Sequence, residues 1–211
     1  MRNIPLFTTE NGLASLTLEE IPYKSCAYVR IQSTVDGAAF LKECADFCVA
    51  VGAEHVYATG DGAEKYPLYN SILQMCRSKA GMPDTDAVLC GVREDTLEKW
   101  RDIYNRKMFG VSNAATMTVN KAKSAHKDGG CYFVYRGDLL LGIGMVSGGM
   151  ISALAAVVSG AGRDVLLALC RAVESDTVCV EFSSTNTTAI KLYNKLGFAE
   201  KCCVADWYQI I

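Results

Sequence analysis

The chain has no cluster of lysine and arginine, only two histidines, no Cys-x-x-Cys pair and no apolar run of membrane-spanning length. Each absence removes a class of function. Without a basic patch, and with a net charge of −2, neither nucleic acid nor an anionic membrane surface is an expected partner. The nearest candidate for a membrane span, Met150–Val158, is only of strand length, and Met1-Arg2-Asn3-Ile4-Pro5 opens no signal peptide. The expectation is a soluble, cytoplasmic protein, monomeric or homodimeric. His55 and His126 lie far apart, and Cys202 and Cys203, adjacent on a strand, face opposite ways, so no metal is expected. Of the ten cysteines, Cys26, Cys44, Cys48, Cys90, Cys170 and Cys179 sit in apolar periodic segments, where a free thiol acts as a small hydrophobe. That usage suits a reducing cytosol better than secretion.

What is present is material for a core. Half of the 211 residues are hydrophobic and 21% are charged, enough for one large domain or two small ones. Asn11-Gly12, between Leu6–Thr8 and Leu13–Glu19, reads as a hairpin turn, and Ala27–Ser33 as a further strand. Asp36 caps a helix running to about Val51, Val56–Thr59 is a short strand, and Leu68–Lys79 reads as a helix. Ala80-Gly81-Met82-Pro83-Asp84 is the one linker-like stretch and divides the chain into residues 1–86 and 87–211. Beyond it come a strand at Ala87–Val92, a helix capped by Thr96 and a second helix from about Thr118 to His126. Cys131–Tyr135, Leu139–Val146 and Ile151–Val158 form a meander, in which Arg136-Gly137-Asp138 is read as a turn and not as an adhesion signal. Lys201–Ile211 closes the chain as a strand, and Asp206, Trp207 and Tyr208 on it suit either an acceptor pocket or a plain edge strand.

The stretch from Ile151 to Phe198 says most about function. The strand Ile151–Val158 is broken by Ser159-Gly160-Ala161-Gly162, and a helix follows over Arg163–Glu174. A second strand, Thr177–Ser183, leads to a helix from about Asn186 to Leu196, stopped by Gly197. Two glycines between a strand end and a helix start let the backbone approach a ligand, and the helix adds free N–H groups and its positive dipole end. That arrangement suits a phosphate or pyrophosphate, with Arg163 placed to add a charged hydrogen bond.

Val157-Val158-Ser159-Gly160-Ala161-Gly162-Arg163-Asp164 resembles the pyrophosphate loop of the GNAT superfamily of acyl-CoA N-acyltransferases. The run from Ser184 to Phe198, with Asn186, Ala189, Leu192-Tyr193 and Gly197-Phe198, resembles that family's other signature, in the family's order and near its usual spacing. The resemblance covers roughly Thr96–Ile211. It departs at the loop, where Val158-Ser159 stand before a thinner glycine set than the family carries. It implies an α/β (α+β) fold with a mixed, mostly antiparallel central sheet flanked by helices, and transfer of an acetyl group from acetyl-CoA to a small-molecule or peptide amine. It further implies cofactor contacts from Val157, Val158, Gly160, Ala161, Gly162, Arg163 and Asp164, and from Asn186 on the pantetheine arm. Val157 or Val158 would offer the N–H for the oxyanion. Tyr193 occupies the place of the general acid that protonates the leaving thiolate. Glu181, on the strand facing the cleft, is the candidate base or amine-binding carboxylate, with buried ion pairing as its rival role.

Two other readings stand beside this one. The same fold can bind acyl-CoA without turnover. Gly160-Ala161-Gly162 with Glu181 at ribose-binding distance also suits a dinucleotide oxidoreductase, although Val165 stands where a third glycine is needed and the preceding meander is antiparallel. An internal repeat aligns Cys48–Val51, Val56 and Pro67–Asn70 with Cys170–Val173, Val178 and Lys191–Asn194. On that basis residues 1–86 are a partial, degenerate copy of the fold. Their loop, Ser33-Thr34-Val35-Asp36-Gly37, puts an acid where a phosphate would sit, so this half is expected to be a scaffold.

Overall fold

The computed structural model describes residues 2–211. Asn11-Gly12 turns β1 (Ile4–Thr9) into its antiparallel partner β2 (Gly12–Thr17), with Thr9 opposite Gly12. A short helix α1 (Ile21–Lys24), with a proline at its start, leads to β3 (Cys26–Thr34), antiparallel to β2. The Asp36 carboxylate accepts the N–H groups of Ala38 and Ala39, both at 3.1 Å, and so begins α2 (Gly37–Ala50). That helix buries Phe40, Leu41, Cys44 and Cys48 against the sheet and crosses to β4 (His55–Thr59), parallel to β3.

Next comes β5 (Leu68–Ser78), where the sequence suggested a helix. The Leu-Tyr-Asn match was a helical signal only by analogy with the later copy. Here Tyr69 instead stacks on Tyr57 of β4, ring centroids 3.9 Å apart, and tertiary pairing decides the conformation. The second half of the chain then runs through β6 (Val88–Gly91), α3 (Leu97–Met108), α4 (Val119–Lys127), β7 (Cys131–Arg136), β8 (Leu139–Ser147) and β9 (Met150–Ala156). It continues through α5 (Gly162–Ala172), β10 (Thr177–Ser183), α6 (Thr187–Lys195) and β11 (Ala199–Gln209). None of the described helices is long and apolar enough to cross a membrane.

The chain forms two compact units, Met1–Ile72 with Cys203–Ile211, and Leu73–Cys202. This division differs from the one at the 80–84 linker because two strands run past it. Residues 73–78 of β5 lie beside β10 in the second unit, and the end of β11 pairs with β4 in the first, Tyr208 opposite Ala58. Asp206, Trp207 and Tyr208 therefore belong to the first unit. Ser71 donates to Asp206 at 2.6 Å, and Trp207 meets Tyr28 edge-on at 5.3 Å.

Topology supports a repeated fold. β1-β2-β3-α2-β4 and β7-β8-β9-α5-β10 are each an antiparallel meander followed by a helix and a parallel return strand. In the second unit α5 packs on one face of the sheet through Val165, Leu166 and Leu169, each wholly buried. Each such side chain contributes on the order of 2 kcal/mol. The other face is covered by Trp100, Ile103 and Tyr104 of α3 and by Ala122 of α4. Trp100 donates its indole N–H to the Tyr132 carbonyl at 3.1 Å.

One cysteine expectation is corrected. Cys179 is not a free thiol but is bonded to Cys76, 103 positions earlier, joining β10 to β5. Lys79 N–H donates to Asp176 O at 2.8 Å, and Gln74 donates to Glu181, so the two strands run antiparallel. Cys26, Cys44, Cys48 and Cys170 are buried thiols, whereas Cys90 is exposed.

Two glycines on one face of β8 set the seat of α5. A Cβ on Gly142 would lie 2.5 Å from the Ala155 carbonyl oxygen and 2.7 Å from Val165, and one on Gly144 would lie 2.3 Å from Leu169. Val165 and Leu169, one helical turn apart, sit where those side chains are missing. Because the Ala155 contact is to backbone, Gly142→Ala is expected to destabilise the protein by about 1–3 kcal/mol. Urea unfolding measures this, and a midpoint equal to that of the wild-type chain contradicts the packing argument.

Candidate active site

The site begins with a defect in a strand. Met145 is opposite Ala153 and Val146 is opposite Ile151, so the ladder skips Ser152 of β9, which forms a bulge and donates its hydroxyl to the Met145 carbonyl at 3.3 Å. A bulge bends its strand, and the pairing of β9 with β10 ends there. The two strands pair only at Met150–Cys179 and Ile151–Val180, although β9 stays with β8 as far as Ala156. Beyond those pairs a wedge opens. In the first unit β3 and β4 remain paired at five positions, from Cys26–His55 to Arg30–Thr59.

Hydrogen-bond parity decides which groups face the wedge. Val157 N–H donates to Leu141 O of β8 at 2.8 Å, and Val158 N–H shares that carbonyl at 3.4 Å. Both N–H groups expected to serve an oxyanion are thus turned toward β8. Alternation along the strand turns the N–H and C=O of Leu154 and Ala156 toward the wedge instead. An unpaired strand edge of this kind accepts an extended chain carrying amides.

The loop after β9 ends in an α5 N-cap, Ala161, that has no side-chain acceptor, leaving the first-turn N–H groups without an intrahelical partner. Gly160 sits at φ +80 with nothing within 4 Å of where a Cβ would stand, so the backbone there is open. Gly162 is tight. A Cβ on it would lie 3.4 Å from Leu192 of α6, which brings that helix against the loop.

Asp164, in the first turn of α5, organises cations. It accepts Arg136 at 2.9 Å, Thr85 at 3.1 Å and Arg163 at 3.2 Å. Burial pushes its carboxyl up, but hydrogen bonds from Arg136 and Thr85 and the charges of Arg136 and Arg163 outweigh this and hold it below its ordinary range. Arg136, from the turn read as structurally plain, therefore joins Arg163 at the start of α5. No motif or spacing points to it.

Asn186 is the N-cap of α6, its side chain accepting the Ala189 N–H at 3.1 Å. Tyr193, on that helix, is 6% exposed and packs between Phe182 and Phe198, centroids 5.2 and 5.8 Å away. Burial, with a smaller contribution from Cys170, pushes its phenol up to about 12. Glu181 is exposed on β10, where Gln74 donates to it at 3.2 Å. A cleft of about 610 Å³ opens beside Val157, lined by Ile103 and Leu140 and by Glu98, Asp102 and Arg106, charges of both signs.

The raised value means that Tyr193 stays protonated through the neutral range, as a proton donor must. In an ultraviolet titration, the difference between the wild-type chain and Tyr193→Phe is expected to show one ionisation near 12. A step at the ordinary tyrosine value near 10 contradicts the burial of this phenol.

Neither a protein-family sequence model nor a curated protein sequence matches the chain. Solved structures do match in fold. A GCN5-related N-acetyltransferase from Sphaerobacter thermophilus is 13% identical, with a TM-score of 0.57 over 93% of this chain and 75% of that one. An acetyltransferase of the GNAT family from Colwellia psychrerythraea is 10% identical, with a TM-score of 0.54 over 97% and 83%. A tandem GNAT protein from the clavulanic acid biosynthesis pathway is 12% identical, with a TM-score of 0.54 over 94% and 78%. The chain shares the fold of these acetyltransferases, and one of the proteins it resembles is a tandem GNAT protein.

Proposed function

We propose that the protein is an N-acetyltransferase that moves an acetyl group from acetyl-CoA directly to a primary amine. The observation that carries this reading is the wedge, in which the unpaired edge of β9 runs straight into an open glycine loop and a helix start flanked by two arginines. Leu154 and Ala156 offer N–H and C=O groups at the spacing of an added strand, matching the two amides of a pantetheine arm. The Gly160–Asp164 backbone, with Arg163 and Arg136, suits a pyrophosphate. Acetyl-CoA supplies the thioester whose carbonyl the amine attacks.

The remaining tasks fall to side chains. The N–H of Leu154 or Ala156, in place of Val157 or Val158, stabilises the oxyanion. Tyr193 gives its proton to the departing thiolate, and Glu181 binds the cationic amine or takes the proton it loses on attack. The products balance as amide and free thiol.

The first unit is read as a scaffold. Asp36 already fills the N–H groups of Ala38 and Ala39, and a Cβ on Gly62 would lie 3.4 Å from the Gly37 Cα, so its own loop covers the start of α2. β4 is paired with β3 along its whole length, and just beyond it the Gly60 backbone lies close against Ile31, where a Cβ would stand 2.8 Å from the Ile31 carbonyl oxygen, so the strands do not part there as β9 and β10 do.

One observation favours acyl-CoA binding without turnover, namely the burial of Tyr193 among aromatic rings. Tyr193→Phe separates the readings. An enzyme is expected to lose about 10²–10⁴-fold in thiol release across a panel of amines, with CoA affinity by calorimetry unchanged within about twofold. Wild-type thiol release at background with intact CoA binding leaves the binding module, and binding of NAD but not CoA overturns both.

A further inference from the structure

Residues 73–79, which the sequence assigned to the first half of the chain, grip the second unit from both faces of a strand. Gln74 and Cys76 hold β10 on one face, through Glu181 and the bond to Cys179. Met75, Arg77 and Lys79 point the other way. Met75 enters the core, Lys79 donates to the Val173 carbonyl at the end of α5, and Arg77 donates to the Leu196 carbonyl at the end of α6.

We infer that Arg77 is a positioning residue for Tyr193, an inference that rests on Tyr193 as the general acid. α6 is two and a half turns long, too short to be stable by itself, so its orientation depends on what holds its ends. Asn186 holds the first end. At the other, Leu196 N–H and Phe198 N–H both return to the Tyr193 carbonyl, at 3.1 and 3.0 Å, while Gly197 turns at φ +75. That turn is the seat of Arg77. A Cβ on Gly197 would lie 3.5 Å from Arg77 Nη1, and the second guanidinium nitrogen donates to Gly81 O at 3.0 Å.

The guanidinium therefore joins three chain segments at one point. It places a positive charge at the negative end of the α6 dipole and fixes the turn whose N–H groups hold the Tyr193 carbonyl. Phe198, the last residue of that turn, is also one wall of the Tyr193 ring site. Removing the guanidinium frees the α6 end, admits water beside the phenol and leaves the wedge and glycine loop untouched.

The test compares Arg77→Met, which keeps the stem, with Arg77→Lys, which keeps the charge, each alone and combined with Tyr193→Phe. The readouts are thiol release from acetyl-CoA with n-butylamine as model amine, CoA affinity and the Tyr193 ionisation step. Arg77→Met is expected to lower kcat about tenfold with CoA affinity unchanged within twofold, to move the ionisation step down, and to cost nothing further in the Tyr193→Phe background. Arg77→Lys is expected to fall between, and carries the test if Arg77→Met does not fold. An unmoved ionisation step, or an equal loss in the Tyr193→Phe background, overturns the assignment of Arg77. Tyr193→Phe at full rate, or no thiol release from the wild-type chain, overturns the general-acid reading instead, while the ionisation step still decides whether Arg77 sets the phenol's place.

Discussion

The position of one bulged residue separates the two halves of the molecule: Ser152 of β9 follows the second pair with β10, whereas the corresponding bulge in β3, at Gln32, comes only after all five pairs with β4. With that bulge in β9, the parallel ladder to β10 stops after two pairs, and a backbone edge that would be spent on sheet becomes available. The corresponding ladder in the first unit runs through five pairs. The same order of strands and helix thus parts early in the second unit and late in the first. The helix starts differ in the same sense. Asp36 supplies its own anion to α2, whereas α5 begins on Ala161, which supplies none.

The wedge needs rigid walls, and the packing provides them. α5 is seated on β8 by the absence of side chains at Gly142 and Gly144, which lets Val165 and Leu169 approach the backbone. β10 is held from its far edge by β5, through the Cys76–Cys179 bond and the Gln74–Glu181 hydrogen bond. α6 is fixed at one end by Asn186 and at the other by Arg77. Loop, wedge and phenol are thereby referred to one frame, with the second unit's core filling the space between them.

Much of this was legible in the sequence because it is local. The glycine loop between strand and helix, the Asn186 cap and the Gly197 stop are short-range features with known backbone consequences. What was not legible depends on pairing between distant residues. Leu68–Ser78 reads as a helix because Leu-Tyr-Asn does so elsewhere in the chain, and only its place beside β10 makes it a strand. Cys76 and Cys179 give no sign of their bond at a separation of 103. The N–H groups that face the wedge are those of Leu154 and Ala156 and not those of Val157 and Val158, for a sharper reason. Which N–H faces the wedge alternates with every residue, and the frame is set by where Val157 pairs with Leu141, which no spacing motif records.

The proposed acetyl transfer requires the β9 edge to be the place where the amides of CoA pair. Hydrogen exchange of the Leu154 and Ala156 amides, with and without CoA, tests this most directly. If the edge is the binding surface, both amides exchange fast in the free protein and become strongly protected when CoA is added, while Val157, already bonded to Leu141, changes little. Protection of Val157 and Val158 with no change at Leu154 and Ala156, or no change at any of the four in a CoA-saturated sample, contradicts it.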